Sequence, residues 1–352
     1  MVSPLKDQFP DTTEYATIGA AEVATTFGDL EAEYAAIREN VAKFDLSGAG
    51  LLEITGADAY DLLQMALARD LEFVTPEQSL SSLLLDADGK AIDVVVAYYA
   101  EEGFRLETST GTGPATAAHL TALKDEQGLD AEVSVINDRL TIILVEGPQG
   151  AATLEETIEP DLGALPLSGL MEVEFAGADL LVSRSGFTGE YGYKIFVSVD
   201  DVAAVWNGLE IQAAGQTALE AAMFEIRQPV IHIEDTSASA LANGYAWLID
   251  ITKEEFFGRD AVLEAFEAGG RADVVGYATS APQEVGTPVS IGGTEVGTVV
   301  NSLYSPGRKD YVGLVRLRED LVAPHLNLTA AGGAQLTTLA APYVLPVSWN
   351  RR

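Results

Sequence analysis

Apolar residues recur at helical spacing over residues 30–41, where Leu30, Tyr34, Ile37 and Val41 share one face and acids take the other. A short apolar run at 51–54 reads as a strand, and 57–68 as a second amphipathic helix. Two strand patterns at 78–85 and 91–99 are joined by Asp86-Ala87-Asp88-Gly89, whose Asp-Gly punctuation predicts a hairpin turn. A strand at 104–108, a helix at 115–127 and strands at 131–136 and 140–145 follow. Gly147-Pro148 opens another helix, a strand pair flanks the glycine-rich segment 185–193, and helices are predicted at 202–208, 218–227 and 259–267. Beyond Gly269-Gly270 the pattern changes to short strands with Gly and Pro turns, at 274–280, 288–291, 295–302 and 311–317. The expected architecture is α+β over residues 1–268 and a small all-β barrel over 271–352.

Charge changes the picture most. The chain carries 54 acidic residues against 20 basic ones, a formal net charge of −34. The acids are spread along the chain, as at Glu101-Glu102, Glu155-Glu156 and Asp200-Asp201, and punctuate the apolar periodicity as a solvated surface does. Such a surface repels itself, and salt screens that repulsion, so a cytoplasm rich in salt is the expected setting. No basic stripe is present for nucleic acid to bind. No apolar run approaches the roughly 20 residues of a membrane span, and the first residues lack the pattern of a secretory signal, so a cytoplasmic location is expected. The absence of cysteine excludes disulfides and thiolate chemistry. His119, His232 and His325 lie far apart, so no metal site is expected. Asp86-x-Asp88-Gly89 departs from a calcium loop, with its glycine fourth rather than sixth and Ala97 in the twelfth place.

Four segments in order resemble the aminomethyltransferase (glycine-cleavage T-protein) superfamily. They are Ile37-Arg38 through Phe44-Asp45-Leu46-Ser47, Gly89-Lys90-Ala91-Ile92-Asp93, Ser185-Gly186-Phe187-Thr188-Gly189-Glu190-Tyr191-Gly192-Tyr193, and Ser302-Leu303-Tyr304-Ser305-Pro306. The resemblance implies a folate-binding region of two intertwined subdomains around a central hole, followed by a C-terminal β-barrel. It also implies tetrahydrofolate-dependent transfer of an aminomethyl or methyl group, with a lipoyl carrier protein as the donor in the glycine-cleavage version. A non-catalytic folate-binding or regulatory protein, and a tetrahydrofolate-dependent demethylase, are the alternatives.

Asp93 stands in an otherwise apolar strand, where a carboxylate is costly unless it is hydrogen-bonded or meets a cation. On residues alone it reads equally as an edge-strand acid facing water. The resemblance makes it the catalytic carboxylate beside the folate nitrogens. Glu190 follows a glycine-rich turn, and by itself suggests a solvated hairpin acid. The resemblance makes Glu190 the receptor for the pterin, because two carboxylate oxygens accept from a ring N–H and an amino group together. Phe187 and Tyr191 are expected to add aromatic contact. Leu219 stands where the superfamily has an arginine for the carboxylated tail, Val94 follows Asp93 in place of a second acid, and Ser81 replaces a tyrosine. Arg227 is the expected substitute for the missing cation. In solution, the midpoint of thermal unfolding is expected to rise steadily from low to molar KCl; an unchanged midpoint would remove the high-salt assignment.

Overall fold

The computed structural model describes residues 2–100 and 103–350. A hairpin, β1 (Glu14–Ile18) and β2 (Ala21–Thr26), precedes helix α1 (Leu30–Glu39) and strands β3 (Ala42–Asp45) and β4 (Ala49–Thr55). Then come α2 (Ala59–Ala66), β5 (Ser79–Leu85), β6 (Ala91–Ala100), β7 (Gly103–Thr110), α3 (Gly113–Gln127), β8 (Glu132–Val135) and β9 (Leu140–Glu146). Next are α4 (Gly150–Thr157), β10 (Leu170–Phe175), β11 (Ala178–Ser183), β12 (Gly192–Ser198), α5 (Val202–Gly208), β13 (Gln212–Ala213), α6 (Gln216–Glu225) and α7 (Arg259–Glu267). The final strands are β14 (Val274–Thr279), β15 (Pro288–Ile291), β16 (Thr294–Val299), β17 (Leu303–Ser305), β18 (Asp310–Leu317), β19 (Asn327–Ala330) and β20 (Gln335–Leu339).

Local chemistry explains the boundaries. The Asp29 carboxylate caps α1 by accepting from the Ala32 N–H at 3.0 Å. The Asp86 carboxylate accepts from the N–H groups of Asp88 and Lys90, both at 2.9 Å, and so folds the turn read from the Asp-Gly pair. Gly50 and Gly113 let α3 start close against β4: a Cβ on Gly50 would lie 2.4 Å from the Gly113 Cα.

Five strands form an antiparallel sheet in the order β5-β6-β7-β4-β8. Helices α2 and α3 cover one face, burying Leu62, Leu63 and Leu120 against Leu52, Val95 and Leu106. A second sheet runs β10-β11-β12-β9-β3-β13, antiparallel except where β13 joins β3. Helices α4 and α5 cover one side of it, and α1 and α6 the other, where Ile37 and Ala218 meet Phe44 and Leu144. That last cluster also takes in Val96 and Tyr98 of β6, so the two sheets share a core. The chain passes from β3 in one sheet to β4 in the other, and returns between β8 and β9. Asn137 ties the two crossings, accepting from the Leu51 N–H and donating to the Ala49 carbonyl, both at 2.9 Å. The larger part is therefore intertwined α+β. Strands β14, β20, β19, β15, β16 and β18 close into a six-stranded barrel through the β14–β18 pairing.

The hairpin β1–β2, strand β10 and the barrel strands β19 and β20 were not read from the pattern. Strand β1 is largely exposed on both faces and has no alternation to detect. The sequence placed all of 271–352 with the barrel, yet the stretch after β20 runs back over the larger part: the N–H of Tyr343 donates to the Glu225 carbonyl, and those of Val347 and Ser348 to the Glu190 carboxylate.

Arg38 binds these pieces together. Its guanidinium reaches Glu190 at 3.2 Å and Glu225 at 3.1 Å, and donates to the carbonyls of Thr188 and Ala222. Glu225 also accepts from Tyr34 and from Ser305 of the barrel, each at 2.6 Å. Replacing Arg38 by Leu leaves two buried carboxylates without their cation, and is expected to cost about 3–5 kcal/mol in urea unfolding at molar KCl.

Candidate functional site

A cavity lies where the two sheets and α6 meet. Strand β6 contributes Val94 and Val96, β7 contributes Glu107 and Ser109, and α6 contributes Leu219, Glu220 and Met223. Phe187 and the segment 228–232 complete it. The period-two geometry of a strand decides which β6 side chains arrive here. Val94 and Val96 face the cavity, so Asp93 and Val95 point the other way, toward α3.

Asp93 is therefore not a wall of the cavity, contrary to the expectation that it touches the bound ligand. Its carboxylate is fully buried and accepts from the hydroxyls of Thr112 at 2.6 Å and Thr116 at 2.7 Å, and from the Ser109 N–H at 3.2 Å. Burial pushes its pKa up, and these donors oppose the shift. Through them Asp93 anchors Ser109, which does line the cavity and donates its hydroxyl to the Val94 carbonyl at 3.1 Å.

Glu190 is also placed elsewhere. Its two oxygens are engaged by Arg38 and by the N–H groups of Val347 and Ser348, which leaves no free edge for a pterin. Phe187 of the same turn does reach the cavity. The turn is shaped by buried Glu146, which accepts from the Phe187 N–H and from the N–H and hydroxyl of Thr188. Tyr191 packs against the core under α4 and α5, with the Arg184 guanidinium 5.8 Å from its ring. Arg227 pairs with Glu234 at 3.3 Å and donates to the Asn243 carbonyl at 3.2 Å. It lines a shallow depression with Trp247, and Gln228 is common to that depression and the cavity. Tyr304 is on the surface with Glu31 at 3.1 Å, while Ser305 holds Glu225.

The sequence reading missed Glu107 and Lys194. Lys194 of β12 is fully buried, 2.6 Å from the Glu107 carboxylate and 3.3 Å from the Tyr98 hydroxyl, with its ammonium 3.9 Å from the Phe187 ring centroid. Burial lowers the Lys194 pKa, and the carboxylate beside it opposes that shift. The only signal in the sequence is a charge inside each of two strand patterns, which does not say whether those two charges meet. Glu220 and His232 also line the cavity, 3.5 Å apart.

The GCVT N-terminal domain family matches residues 7–253 of this chain. The chain belongs to that family. An aminomethyltransferase of Alkaliphilus oremlandii is 27% identical over 315 residues, covering 86% of this chain and 85% of the relative. A probable aminomethyltransferase of Haloarcula marismortui is 29% identical over 264 residues, covering 73% and 72%. Among solved structures, the glycine cleavage system aminomethyltransferase T of Bartonella henselae superimposes with a TM-score of 0.85 at 20% identity, over 98% of both chains. That likeness agrees with the intertwined sheets and closed barrel described above.

For the ion pair under the cavity, Lys194→Met alone leaves Glu107 buried without its cation and is expected to lose about 3–5 kcal/mol of stability. The double variant Lys194→Met/Glu107→Leu is expected to recover most of that loss, as read from a double-mutant cycle in urea unfolding.

Proposed function

We propose that this chain transfers a one-carbon unit, as an aminomethyltransferase does, onto tetrahydrofolate held in the cavity between the sheets. One observation carries the reading: every side chain lining the cavity, from Leu46 to His232, falls within the stretch that the GCVT family matches. The donor set suits a flat heterocycle. Val94, Val96, Leu219 and Met223 offer apolar surface, Phe187 an aromatic face, and Ser109, Gln216 and Gln228 hydrogen-bonding groups. A carboxylated tail would leave past Gln228 toward Arg227 and Trp247. There Arg227, shared with Glu234, supplies the cation that Leu219 does not.

When bound, tetrahydrofolate supplies the amine nitrogens that accept the carbon. The protein's part is to bind, orient and exclude water. Asp93 acts as a positioning residue, since it fixes Ser109 and through it the Val94 segment. Lys194 and Glu107 neutralise one another beneath the site, which keeps a buried charge from facing the ligand uncompensated. The donor in this reading is an aminomethyl group on the lipoyl arm of a carrier protein.

Calorimetric titration with tetrahydrofolate in molar KCl tests the proposal. The wild type is expected to bind, and Met223→Trp, which fills the cavity, to weaken binding by at least about tenfold, or about 1.4 kcal/mol. Asp93→Asn is expected to lower turnover more than affinity. Absence of binding by folded wild type would overturn the reading, and transfer only from N-, O- or S-methyl donors would reassign the donor.

A further inference from the structure

Most interior carboxylates are locked either by a cation or by several hydrogen-bond donors, as Asp93, Glu146 and Glu33 are by hydroxyls and backbone amides. Glu107 is held by Lys194, Glu190 and Glu225 by Arg38, and Glu234 by Arg227. Glu220 is different. It lines the cavity, its side chain is 15% exposed, and among the described residues no Lys or Arg lies within ion-pair distance of it. Its two neighbours are Gln216, whose amide donates to Oε1 at 2.7 Å, and His232, whose Nε2 is 3.5 Å from the same oxygen. His232 also lines the cavity and is the more exposed of the two, at 28% of its side chain.

We propose that Glu220 and His232 are the proton-handling pair of the cavity, exchanging one proton between the reacting amines and solvent. This rests on the one-carbon transfer reading above and adds what that reading lacks, a group that can move a proton at the site. Burial lifts the Glu220 carboxyl to about 7, with Gln216 opposing, and burial lowers the His232 imidazole. Near neutral pH the carboxyl is therefore divided between its acid and base forms beside an imidazole able to take up a proton, the poise that general acid–base work needs.

The surrounding charges are engaged elsewhere. On the elements packed against α6, Glu33 of α1 accepts from the Gly215 N–H, Glu22 of β2 pairs with Lys6, and Tyr304 of β17 bonds Glu31. Arg38 holds its two glutamates, and Glu107 and Lys194 hold each other.

In the transfer, the carbon–nitrogen bond to the leaving amine breaks with its electron pair going to nitrogen, which takes the proton from Glu220. One folate amine forms a new bond with its lone pair and returns its proton to Glu220, so the carboxyl ends as it began. The second folate amine then bonds the same carbon as the carbon–sulfur bond to the lipoyl arm breaks with its electron pair going to sulfur, and that amine's proton ends on the thiol. His232 relays the proton when the two events are separated in time.

The test uses the full chain in molar KCl. It holds only three histidines, so ¹⁵N NMR follows His232 directly, assigned by the signal lost in His232→Gln. Glu220→Gln is expected to shift the His232 titration midpoint, because a carboxyl and an imidazole 3.5 Å apart that share one proton titrate together. In turnover, Glu220→Gln is expected to reduce kcat about a hundredfold or more, with little change in KM for tetrahydrofolate. The limb of the pH–rate profile near pH 7 should vanish, and Glu220→Asp should restore part of the rate. An unmoved His232 midpoint, or an unchanged pH profile, would overturn the proposal. Failure of wild type to bind tetrahydrofolate would count against the folate reading alone, since the histidine titration needs no ligand.

Discussion

The Arg38 guanidinium is the joint on which the rest of the structure depends. It is 5% exposed, and in one place it engages α1, the glycine-rich turn at Thr188–Glu190, and the C-terminal end of α6. Through Glu225 it extends to Ser305 of the barrel, and through Glu190 to the returning chain at Val347 and Ser348. A planar cation with five donors can serve two carboxylates and two carbonyls at once, which a lysine cannot. The cavity sits beside this joint because α6, which Arg38 fixes at Ala222 and Glu225, is also the helix that presents Leu219, Glu220 and Met223.

Burying so many charges is costly unless each finds a partner, and the interior of this acidic protein follows that rule closely. Glu146 is satisfied by the backbone and hydroxyl of the turn it shapes, and Asp93 by two threonine hydroxyls and an amide. Lys253 is surrounded by carbonyls of Gln64, Leu67 and Arg69, and burial lowers it to about 8. Against this background a cavity carboxyl with a neutral amide and an imidazole for neighbours stands out as chemically open. Structural carboxylates are locked by their partners, and Glu220 is not.

The same strand illustrates how a motif can be read correctly and a side chain misplaced. The Gly89–Asp93 segment does lie at the start of a strand that builds the cavity, as its resemblance implied. Alternation then sends Asp93 to the helix face and Val94 to the cavity. Glu190 shows the second kind of failure. Its turn is in place and delivers Phe187, yet the carboxylate is claimed by residues about 150 positions away in both directions. Tyr191 and Arg227 likewise have partners that no local pattern records.

What the residues alone determined was local and periodic: the helices from α1 to α7, the Asp86–Gly89 turn, the change to barrel strands after Gly269-Gly270, the acidic solvated surface, and the family resemblance. These depend on spacing of apolar groups and on turn chemistry within a few residues, which one chain displays directly. Only the tertiary structure decided that Glu107 meets Lys194, that Arg38 gathers Glu190 and Glu225, and that Glu220 and His232 stand side by side in the cavity wall. Ion pairs of that kind form between positions far apart in the chain, and their partner is chosen by sheet order and by which strand face points inward. Neither is written in the spacing of either residue with its neighbours.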